Sequence, residues 1–415
     1  MSIQEDLQLR RKGDEYELVG FTECTEESSH MKTLMTGTDD VKLANHVLQF
    51  VFLGHTGFRF PLAHYPTNQA SPSELYLIFW KVVKSLDLYG FTVKYVSLDG
   101  AQCNRDFMKM FLNEKTSDTF TTMSFPNVFQ PSKKIFIIMD YSHVMKKIRN
   151  NLSKSGHSKN HTKLLIKNSK EITWEHWYKA YQWEISSNPF KVYQQLTNDH
   201  FFLTSQSKMR NKLAEDVLNQ DMLHLMKCYQ KSLGDDGHHL DGSINLLEQT
   251  SILVKNFRDQ RPIIDAGDER LTENKKVLSW FRSWEIETSP KVEKNLISHQ
   301  TREDIISLLL GFDEMCLDKF SRSSSSIVPR RINSDVIENI FCQQRGLHNG
   351  ANSNPTYLFY CQSMNSIILG STTISKKSNS SGTEAHIFQQ VPPTKKLRKS
   401  VTPLGVSQLQ NQNVH

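Results

Sequence analysis

The segment VKYVSLDGAQCNRDFMKMF, residues 93–111, contains the pattern that decides the fold. Its first six residues are mostly β-branched, aromatic or aliphatic, which is typical of a buried strand. Asp99 and Gly100 form a dipeptide typical of a turn, so the strand is predicted to end there. A carboxylate in that position either faces solvent at the edge of a sheet or contributes to a metal site.

Strands and helices on both sides of this segment follow an order typical of an α/β layer. Residues 17–22 (ELVGFT) predict a short strand, and residues 48–67 (LQFVFLGHTGFRFPLAHYPT) predict two strands joined by a turn. Residues 71–90 begin with Ser-Pro-Ser, keep an apolar helical period and end in Gly, so they predict a helix. Residues 133–140 (KKIFIIMD) predict another buried strand, and residues 142–152 (SHVMKKIRNNL) predict the next helix. The sequence therefore predicts an α/β fold with a mixed sheet.

The chain changes character between residues 171 and 320, where apolar residues recur with helical period. This part is predicted to be a mostly helical block, inserted into or appended to the α/β unit. Residues 334–346 (SDVIENIFCQQRG) predict a further helix with Ser334 as its N-cap. Beyond residue 370 the chain is rich in Ser, Gln, Asn and Pro, which predicts disorder.

Composition narrows the classes of protein to consider. The 415 residues have room for two or three domains, and the six cysteines include no CxxC pair, which favours a reducing compartment over a zinc knuckle or disulfide framework. The longest apolar runs are shorter than the roughly 20 residues that span a bilayer. The charged first residues do not resemble a secretory signal, so an intracellular protein without a membrane partner is expected.

Positive charge is concentrated in two places. Residues 371–415 carry six Lys/Arg and one Glu, or +5, which leaves about +1 of the net +6 for the rest of the chain. Within that tail, residues 392–400 (PPTKKLRKS) resemble a nuclear localisation signal, the alternative being an ordinary solvated tail. Residues 141–170 hold eight Lys/Arg and no acid, which predicts either a phosphate-binding strip or a solvated face.

The position of Asp99 also fits a known nuclease layout. An α/β unit with three antiparallel strands, a helix and a fourth strand that ends in an acid is the arrangement of RNase H-like nucleases. There an Asp of the first strand, an Asp of the fourth and a Glu of a late helix share two divalent metal ions. Asp99 and Glu338 would be the second and third of these acids. Acids at strand ends and on helices are common, so the spacing alone also fits ordinary surface carboxylates.

Five segments resemble, in the same order, segments of the P element transposase family, which includes THAP-containing vertebrate relatives. They are VSLDGAQCNRDF (96–107), MDYSHVMKKIRNNL (139–152), ITWEHWYKAYQWE (172–184), LTNDHFFLTSQSKMRNKLAEDVLN (196–219) and SDVIENIFCQQRG (334–346). The resemblance covers roughly residues 1–365. It implies an RNase H-like core in residues 1–168, a helical insertion domain in 169–325, a C-terminal helix that completes the core in 326–368 and a disordered basic tail in 369–415.

The resemblance also implies roles for single residues. Asp99 and Glu338 correspond to catalytic carboxylates that bind Mg²⁺ or Mn²⁺, and Arg345 closes the pattern of the late helix. Asp140 begins a D-x-x-H-x-x-K-x-x-R-N segment that we interpret as structural or DNA-contacting rather than metal-binding. The residues expected to contact DNA are Lys146, Lys147, Arg149 and Arg345.

The first metal ligand of the family is the difficult one. It belongs to an Asp-Glu-Met tripeptide whose Met corresponds to Met1, so the Asp would precede this chain, and we expect an N-terminally truncated sequence with an incomplete catalytic set. Asp313-Glu314-Met315 repeats the tripeptide in a helical run and is set aside. Asp39 and Asp40 stay open as substitutes.

The helical block resembles the family's GTP-binding insertion domain, where GTP is a cofactor for DNA assembly. Gln195 stands where the family has a lysine, Arg210 keeps a basic residue, Asp259 corresponds to the guanine-reading acid and Asp335 to a second contact. An amide lacks the charge that pairs with a phosphate oxygen, so weakened GTP binding is expected. No Walker-type GxxxxGK[ST] motif is present.

Three functions stay open on the sequence. The first is a P element-like transposase core, which would cleave and join transposon-end and target DNA in the nucleus, self-associate, and be impaired by the absent Asp. The second is a domesticated or decayed relative that binds DNA or GTP without catalysis. The third is an unrelated nuclear interaction protein.

Overall fold

A computed structural model describes residues 1–22, 42–55, 57–112, 120–187, 190–288, 292–323, 325–347 and 354–369. The strands are β1 (Gln8–Lys12), β2 (Glu15–Val19), β3 (His46–Leu53), β4 (Arg59–Thr67), β5 (Tyr95–Leu98), β6 (Ser124–Asn127), β7 (Gln130–Met139), β8 (Leu165–Lys167) and β9 (Lys170–Ile172). The helices are α1 (Pro72–Leu88), α2 (Gln102–Phe111), α3 (Tyr141–Leu152), α4 (Trp174–Ser187), α5 (Ser205–Met209), α6 (Asn211–Asp216), α7 (Gln220–Ser232), α8 (Asp241–Arg258), α9 (Glu269–Glu287), α10 (His299–Arg322), α11 (Asp335–Leu347) and α12 (Tyr357–Leu369). The predicted tail beyond residue 369, with its basic signal, and the substitutes Asp39 and Asp40 lie outside the described residues.

The central sheet has the order β5–β7–β6, in which β5 runs parallel and β6 antiparallel to β7. Strands β3 and β4 form an antiparallel hairpin with a register shift at Phe50 and Val51. Two further antiparallel pairs are β1–β2 and β8–β9. The predicted mixed α/β fold is confirmed.

Helix α1 begins where the sequence predicts. The backbone N–H of Glu74 donates to Ser71 Oγ (3.2 Å), and the Ser71 N–H donates to the Glu74 carboxylate (2.7 Å), which is a capping box. Pro72 occupies the first helical turn, where a missing N–H costs nothing. The apolar face of α1 is buried, and its residues Leu75, Phe79 and Val83 join the main core.

The helical block and the sheet share one hydrophobic core. Helix α10 packs directly on β7: Ser307 Oγ donates to the carbonyl of Ile137 (3.2 Å), and Gly311 lies so close to the same carbonyl that a Cβ would collide with it. Apolar side chains of α1, β7, α4 and α10 form a single buried cluster. The boundary predicted at residue 169 therefore crosses continuous packing, and the domain limits stay predictions.

The first residues of the chain lie along strand β3. Met1 and Val47 exchange backbone hydrogen bonds of 2.9 and 2.8 Å, and the Ile3 N–H donates to the carbonyl of Asn45 (2.9 Å). Ile3 and Val47 belong to a second buried cluster, built mainly with α11 and α12. This arrangement brings Met1 close to the end of β5. None of the described helices is long and apolar enough to cross a membrane.

Candidate active site at the end of strand β5

Asp99 lies immediately after β5 and is exposed. This position agrees with a carboxylate that faces solvent at the edge of a sheet. Its Oδ1 accepts hydrogen bonds from the N–H of Ala101 (3.0 Å) and from the side-chain amide of Asn104 (2.7 Å). These donors belong to the start of α2, so the carboxylate is oriented by the helix that follows it.

A buried ion cluster lies behind this loop. The carbonyl of Gly100 accepts a hydrogen bond from Lys147 Nζ (2.7 Å) and another from the Arg105 guanidinium. Both cations also pair with Asp304 of α10, which is 1% exposed. Burial raises the pKa of Asp304, whereas the two cations oppose that rise. The backbone next to Asp99 is thus fixed by charges from α2, α3 and α10.

Glu338 reaches the same region from helix α11. Its side chain is 32% exposed, and Oε1 lies 3.9 Å from Nε2 of His143. Asp140 fixes the start of both helices involved, because Oδ2 accepts the N–H of His143 (3.0 Å) and Oδ1 accepts the N–H of Ser334 (2.8 Å). Ser334 directly precedes α11, at the N-cap position predicted for it. Asp140 is fully buried in this capping role.

The two acids meet at one cavity of about 360 Å³, which Asp99, Glu338, His143, Asn104 and Met1 all line. The pKa of the Met1 amine is lowered to about 6. Burial is the largest cause and Arg345 acts in the same direction, whereas Glu338 and Asp99 oppose the shift. The site therefore combines two carboxylates with nearby cationic groups.

Lys146 is a further cation beside these acids. Its side chain is buried, and burial lowers its pKa, while Glu338, Asp140 and Asp99 counteract that shift. Lys146 is thus shielded from open solvent and lies within the electrostatic influence of these acids.

These residues do not complete a magnesium site. In the part of the chain that the structure describes, no group of three or more His, Cys, Asp or Glu side chains is placed to hold a metal. In such sites carboxylates compensate the charge of Mg²⁺. Here the cationic Met1 amine and Lys146 lie close to Asp99 and Glu338, so the two carboxylates compensate a metal charge less well. The Asp-Glu-Met repeat at 313–315 lies within α10, where Glu314 accepts the N–H of Met123 (3.1 Å), so it supplies no third acid.

The four predicted DNA contacts have unequal exposure. Arg149 is fully buried, and its guanidinium donates to the carbonyl of Lys208 (2.7 Å), while Lys147 belongs to the ion cluster described above. Arg345 is partly exposed on α11. Elsewhere in the basic run, Lys167 is buried and pairs with Glu287 (3.0 Å). The run is thus not one open basic strip, and the DNA contacts stay predictions.

The residues assigned to GTP lie in two groups. Gln195 and Arg210 are exposed, and Gln195 accepts a hydrogen bond from Lys212 Nζ (3.1 Å). Asp259 is bound by Arg261 (2.7 Å) and Arg270 (3.0 Å), and the hydrogen bond from Arg261 is the largest cause that lowers its pKa to about 2.

Asp335, the other acid of this set, is buried at the start of α11. It accepts a hydrogen bond from Asn333 (3.0 Å) and pairs with Arg258 (3.5 Å). Within the described residues no hydrogen bond or ion pair joins the two groups, and the acids are already engaged by protein cations.

Sequence reasoning did not single out Asn104, Arg105 and Asp304. The first two follow Asp99 within six residues, so their proximity was available as a signal. No signal in the sequence pointed to Asp304, because it belongs to a helix about 200 residues further along the chain.

Comparison with known proteins agrees with the fold predicted from the sequence. Residues 1–112 match the family model described as TNP-like, RNase H N-terminal domain. The chain therefore has an RNase H-like core, with Asp99 inside the matched region.

Among solved structures, the chain is similar to one described as the Drosophila P element transposase strand transfer complex. The TM-score is 0.67 at 16% sequence identity, and the match covers 90% of this chain and 76% of that chain. Likeness at this identity shows the fold, so the predicted RNase H-like architecture with a large helical block is confirmed. No curated protein matches the chain. The THAP relationship and the truncation stay predictions.

Proposed function

We propose that this chain is the core of a P element-like DNA transposase, a class of protein that cleaves and joins DNA strands with Mg²⁺ or Mn²⁺. The single observation that carries the proposal is the meeting of Asp99 and Glu338 at one cavity beside the end of β5. They come from elements about 240 residues apart in the chain. In an RNase H-like core, acids in these positions share the divalent metal ions that promote strand cleavage. DNA integration and recombination are the corresponding processes.

We further propose that strand cleavage by this chain is impaired. Two carboxylates with the Met1 amine and Lys146 nearby compensate the charge of a divalent ion poorly. An Asp-Glu pair directly before Met1 would supply the first ligand of the family and would also convert the Met1 amine into a peptide nitrogen. Both changes favour metal binding.

The proposal is tested by metal-dependent nicking of a labelled transposon-end duplex. Four proteins are compared: the chain as given, a version with Asp-Glu before Met1, that version with Asp99→Ala, and that version with Asp235→Ala as a control at an exposed acid in a helical segment. We expect nicking only after Asp-Glu is added, its loss with Asp99→Ala and no loss with Asp235→Ala. Nicking by the chain as given would contradict the assignment of the absent ligand.

The second candidate is a decayed or domesticated relative that binds nucleic acid without cutting it. The cationic groups beside Asp99 and Glu338 favour this function over an unrelated nuclear protein, because they suit a phosphate better than a metal ion. Salt-dependent binding of the duplex by all four proteins, without nicking by any, is its expected result.

The proposal includes four further properties: contacts with DNA, weak binding of GTP, location in the nucleus and self-association. Lys146, Lys147, Arg149 and Arg345 are the predicted DNA contacts. Of these we propose Arg345 as the direct contact because it is partly exposed, whereas Arg149 is fully buried and Lys147 belongs to the ion cluster. GTP binding through Gln195, Arg210, Asp259 and Asp335 is proposed to be weak, since the acids are already paired with arginines. Titration of the chain with GTP, at the salt concentration of the nicking assay, would measure this affinity.

A further inference from the structure

The hairpin formed by β1 and β2 presents an apolar face to solvent. In its register Leu9 lies opposite Leu18, and Arg11 lies opposite Tyr16. Because side chains alternate along a strand, all four share one face with Leu7. Leu9, Tyr16 and Leu18 are 63%, 69% and 54% exposed. A single exposed apolar residue is ordinary, whereas several that adjoin one another mark an interaction surface.

The outer edge of β1 is open as well. Among the described residues β1 pairs only with β2, and residues 8–12 form no backbone–backbone hydrogen bond outside that ladder. An edge with unpaired N–H and C=O groups can add a further strand, and an isolated two-stranded ribbon is only marginally stable in water. A strand therefore fits this edge better than a helix, which would leave the backbone groups unpaired.

The sequence along this edge is complementary to its own reverse. Residues 6–12 read Asp-Leu-Gln-Leu-Arg-Arg-Lys, with an acid at one end and three cations at the other. Two copies in antiparallel register about Leu9 place the two Leu9 side chains opposite each other and Asp6 of each copy opposite Lys12 of the other. Asp6 and Lys12 are both exposed. Opposite charges directly across a strand pair are stabilising, and like charges are destabilising.

Pairing of two copies through β2 is less suited, because Glu15 and Glu17 are the only charged residues of that strand. A register about Glu17 places two carboxylates opposite each other, and a register about Tyr16 places Glu15 opposite Glu17. Along β1, a register about Arg10 places two guanidinium groups opposite each other. Charge thus selects both the strand and the register.

A register of β1 centred on Gln8 also pairs acids with cations. It would extend the ladder to Gln4, whose N–H already donates to the carbonyl of Pro355 (3.0 Å). A strand added there would displace that hydrogen bond. The register about Leu9 ends at Asp6 and leaves the bond of Gln4 in place.

We propose that the edge of β1 is a self-association site, and that its occupant is β1 of a second copy of this chain in antiparallel register about Leu9. The two hairpins then form one four-stranded sheet of order β2–β1–β1–β2, with a two-fold axis perpendicular to it. The inference specifies the surface for the self-association included in the proposed function, and it does not depend on catalysis. A contact of about seven residues per copy is smaller than a standard interface of about 1,200–2,000 Å², so a weak dimer is expected.

Two segments of the chain itself are less suited to this edge. Residues 371–415 carry six Lys/Arg and one Glu, whereas residues 23–41 carry five Asp/Glu and one Lys. Each has one predominant sign of charge and so matches only one end of the edge, while a second copy matches both ends. A contact within one chain is independent of protein concentration, which separates it from a dimer.

The first experiment measures association of the full chain without DNA, by sedimentation equilibrium between about 1 and 200 μM. By symmetry, Asp6→Lys and Lys12→Asp each convert two opposite-charge pairs into like-charge pairs, so each should weaken the dimer about 10-fold or more. The double variant restores opposite charges and should associate within a factor of about 3 of the original chain. Asp235→Lys, the same change of charge at an exposed acid outside the hairpin, is the matched control and should have no effect.

Two results of this experiment would overturn the proposal. One is a chain that stays monomeric over the whole range, which would leave the edge to a contact within the chain or to solvent. The other is association that the single charge reversals leave unchanged, or that the double variant fails to restore, which would place the contact elsewhere.

The second experiment tests the register by cross-linking. Leu9→Cys lies at the two-fold axis, where opposite Cα atoms are about 4.5–5.5 Å apart and within reach of a disulfide. Leu18→Cys is the control on the neighbouring strand, about 14 Å from its counterpart, and Gln8→Cys is the control for the shifted register. We expect a disulfide-linked dimer under mild oxidation with Leu9→Cys alone, identified by mass spectrometry of the linked peptides.

Cross-linking with Gln8→Cys but not with Leu9→Cys would contradict the register, and equal cross-linking by all three variants, or by none, would contradict the site. The nicking assay is scored separately. A chain that dimerises through β1 but never nicks would contradict the proposed catalysis alone. A monomeric chain that nicks once Asp-Glu is added would contradict the self-association site alone.

Discussion

At the residue scale, Asp304 shows how a distant side chain can position a candidate catalytic one. Its carboxylate lies in the interior between Lys147 and Arg105, which both donate to the carbonyl next to Asp99. Removing one member of a buried charge cluster leaves the others uncompensated, which typically costs about 3–5 kcal/mol. We predict that Asp304→Asn lowers the free energy of unfolding by about 3 kcal/mol in urea denaturation.

The control for this prediction is Glu248→Gln, which also breaks an ion pair, with Lys227 at 2.7 Å, but at the surface. Exposed pairs contribute roughly 0–1 kcal/mol, so its effect should be small. An Asp304→Asn protein as stable as the Glu248→Gln protein would show that the cluster does not hold the loop.

His176 gives the chain a pH dependence of known sign. It is buried, Nδ1 lies 2.7 Å from Ser243 Oγ, and burial is the largest cause that lowers its pKa from 6.5 to about 4. The unfolded chain therefore takes up the proton first, and the stabilisation is complete above pH 6.5 and is lost as the pH falls toward 4. The shift corresponds to about 3 kcal/mol.

The pH prediction is tested with His176→Gln, whose amide can still bond to Ser243. Between pH 7 and pH 4.5, we expect the original protein to lose about 2–3 kcal/mol more of its unfolding free energy than this variant. His238→Gln, at a side chain that is 82% exposed, serves as the comparison variant. Equal losses in the original and His176→Gln proteins would rule out the buried imidazole as the cause.

At the scale of elements, helix α11 is anchored at its first turn by polar contacts. Asp140 accepts hydrogen bonds from the N–H groups of His143 and Ser334 and so joins the starts of α3 and α11. Arg258 of α8 contacts the same turn through Asp335 and lies over the ring of Tyr141, 5.3 Å from its centroid. Glu338, one turn further, inherits its position from these contacts.

We predict a graded response to changes at Asp140. Asp140→Ala leaves two partly buried N–H groups without their acceptors and should lower the unfolding free energy by about 2–4 kcal/mol, whereas Asp140→Asn keeps one acceptor and should cost about half as much. Chemical denaturation measures both. Ser71→Ala, an N-cap of a single exposed helix start, is the comparison at about 1 kcal/mol. Asn and Ala variants of equal stability would contradict the two-acceptor role.

Elements with local signals were predictable from the sequence, and those fixed by tertiary contacts were not. The start of α1 followed from Ser71 and Pro72, and β7 followed from a continuous apolar run. Helix α2 was not predicted, because the Asp99-Gly100 turn signal lies directly before its first residues. Strand β6 was not predicted, because it has only four residues and contains a proline.

The same distinction applies to the candidate site. Asp99 and Glu338 could be named as candidates because a strand end and a helix are visible in the sequence and because the resemblance assigns both positions, and their role stays a prediction. Charge patterning did not reveal that Arg149 points inward, because the carbonyl it meets, that of Lys208, is 59 residues away.

At the scale of the whole molecule, one buried cluster extends from α1 through the sheet to α10, so sheet and helical block are expected to unfold together. Gly311 of α10 lies against the carbonyl of Ile137, where a Cβ would collide with it. Any side chain at this position would push α10 away from β7, and overpacking of this kind costs about 1–3 kcal/mol.

We predict that Gly311→Ala lowers the melting temperature and weakens hydrogen-exchange protection in β7 and in α9 alike, because both depend on α10. Gly346→Ala is the matched control, since a Cβ there meets no atom within 4 Å and alanine favours the helix, so its stability should be unchanged or higher. Circular dichroism and differential scanning calorimetry would follow the transition. Loss of protection confined to β7, or two separate transitions in the Gly311→Ala protein, would show that the helical block is an independent folding unit and that the shared core does not couple it to the sheet.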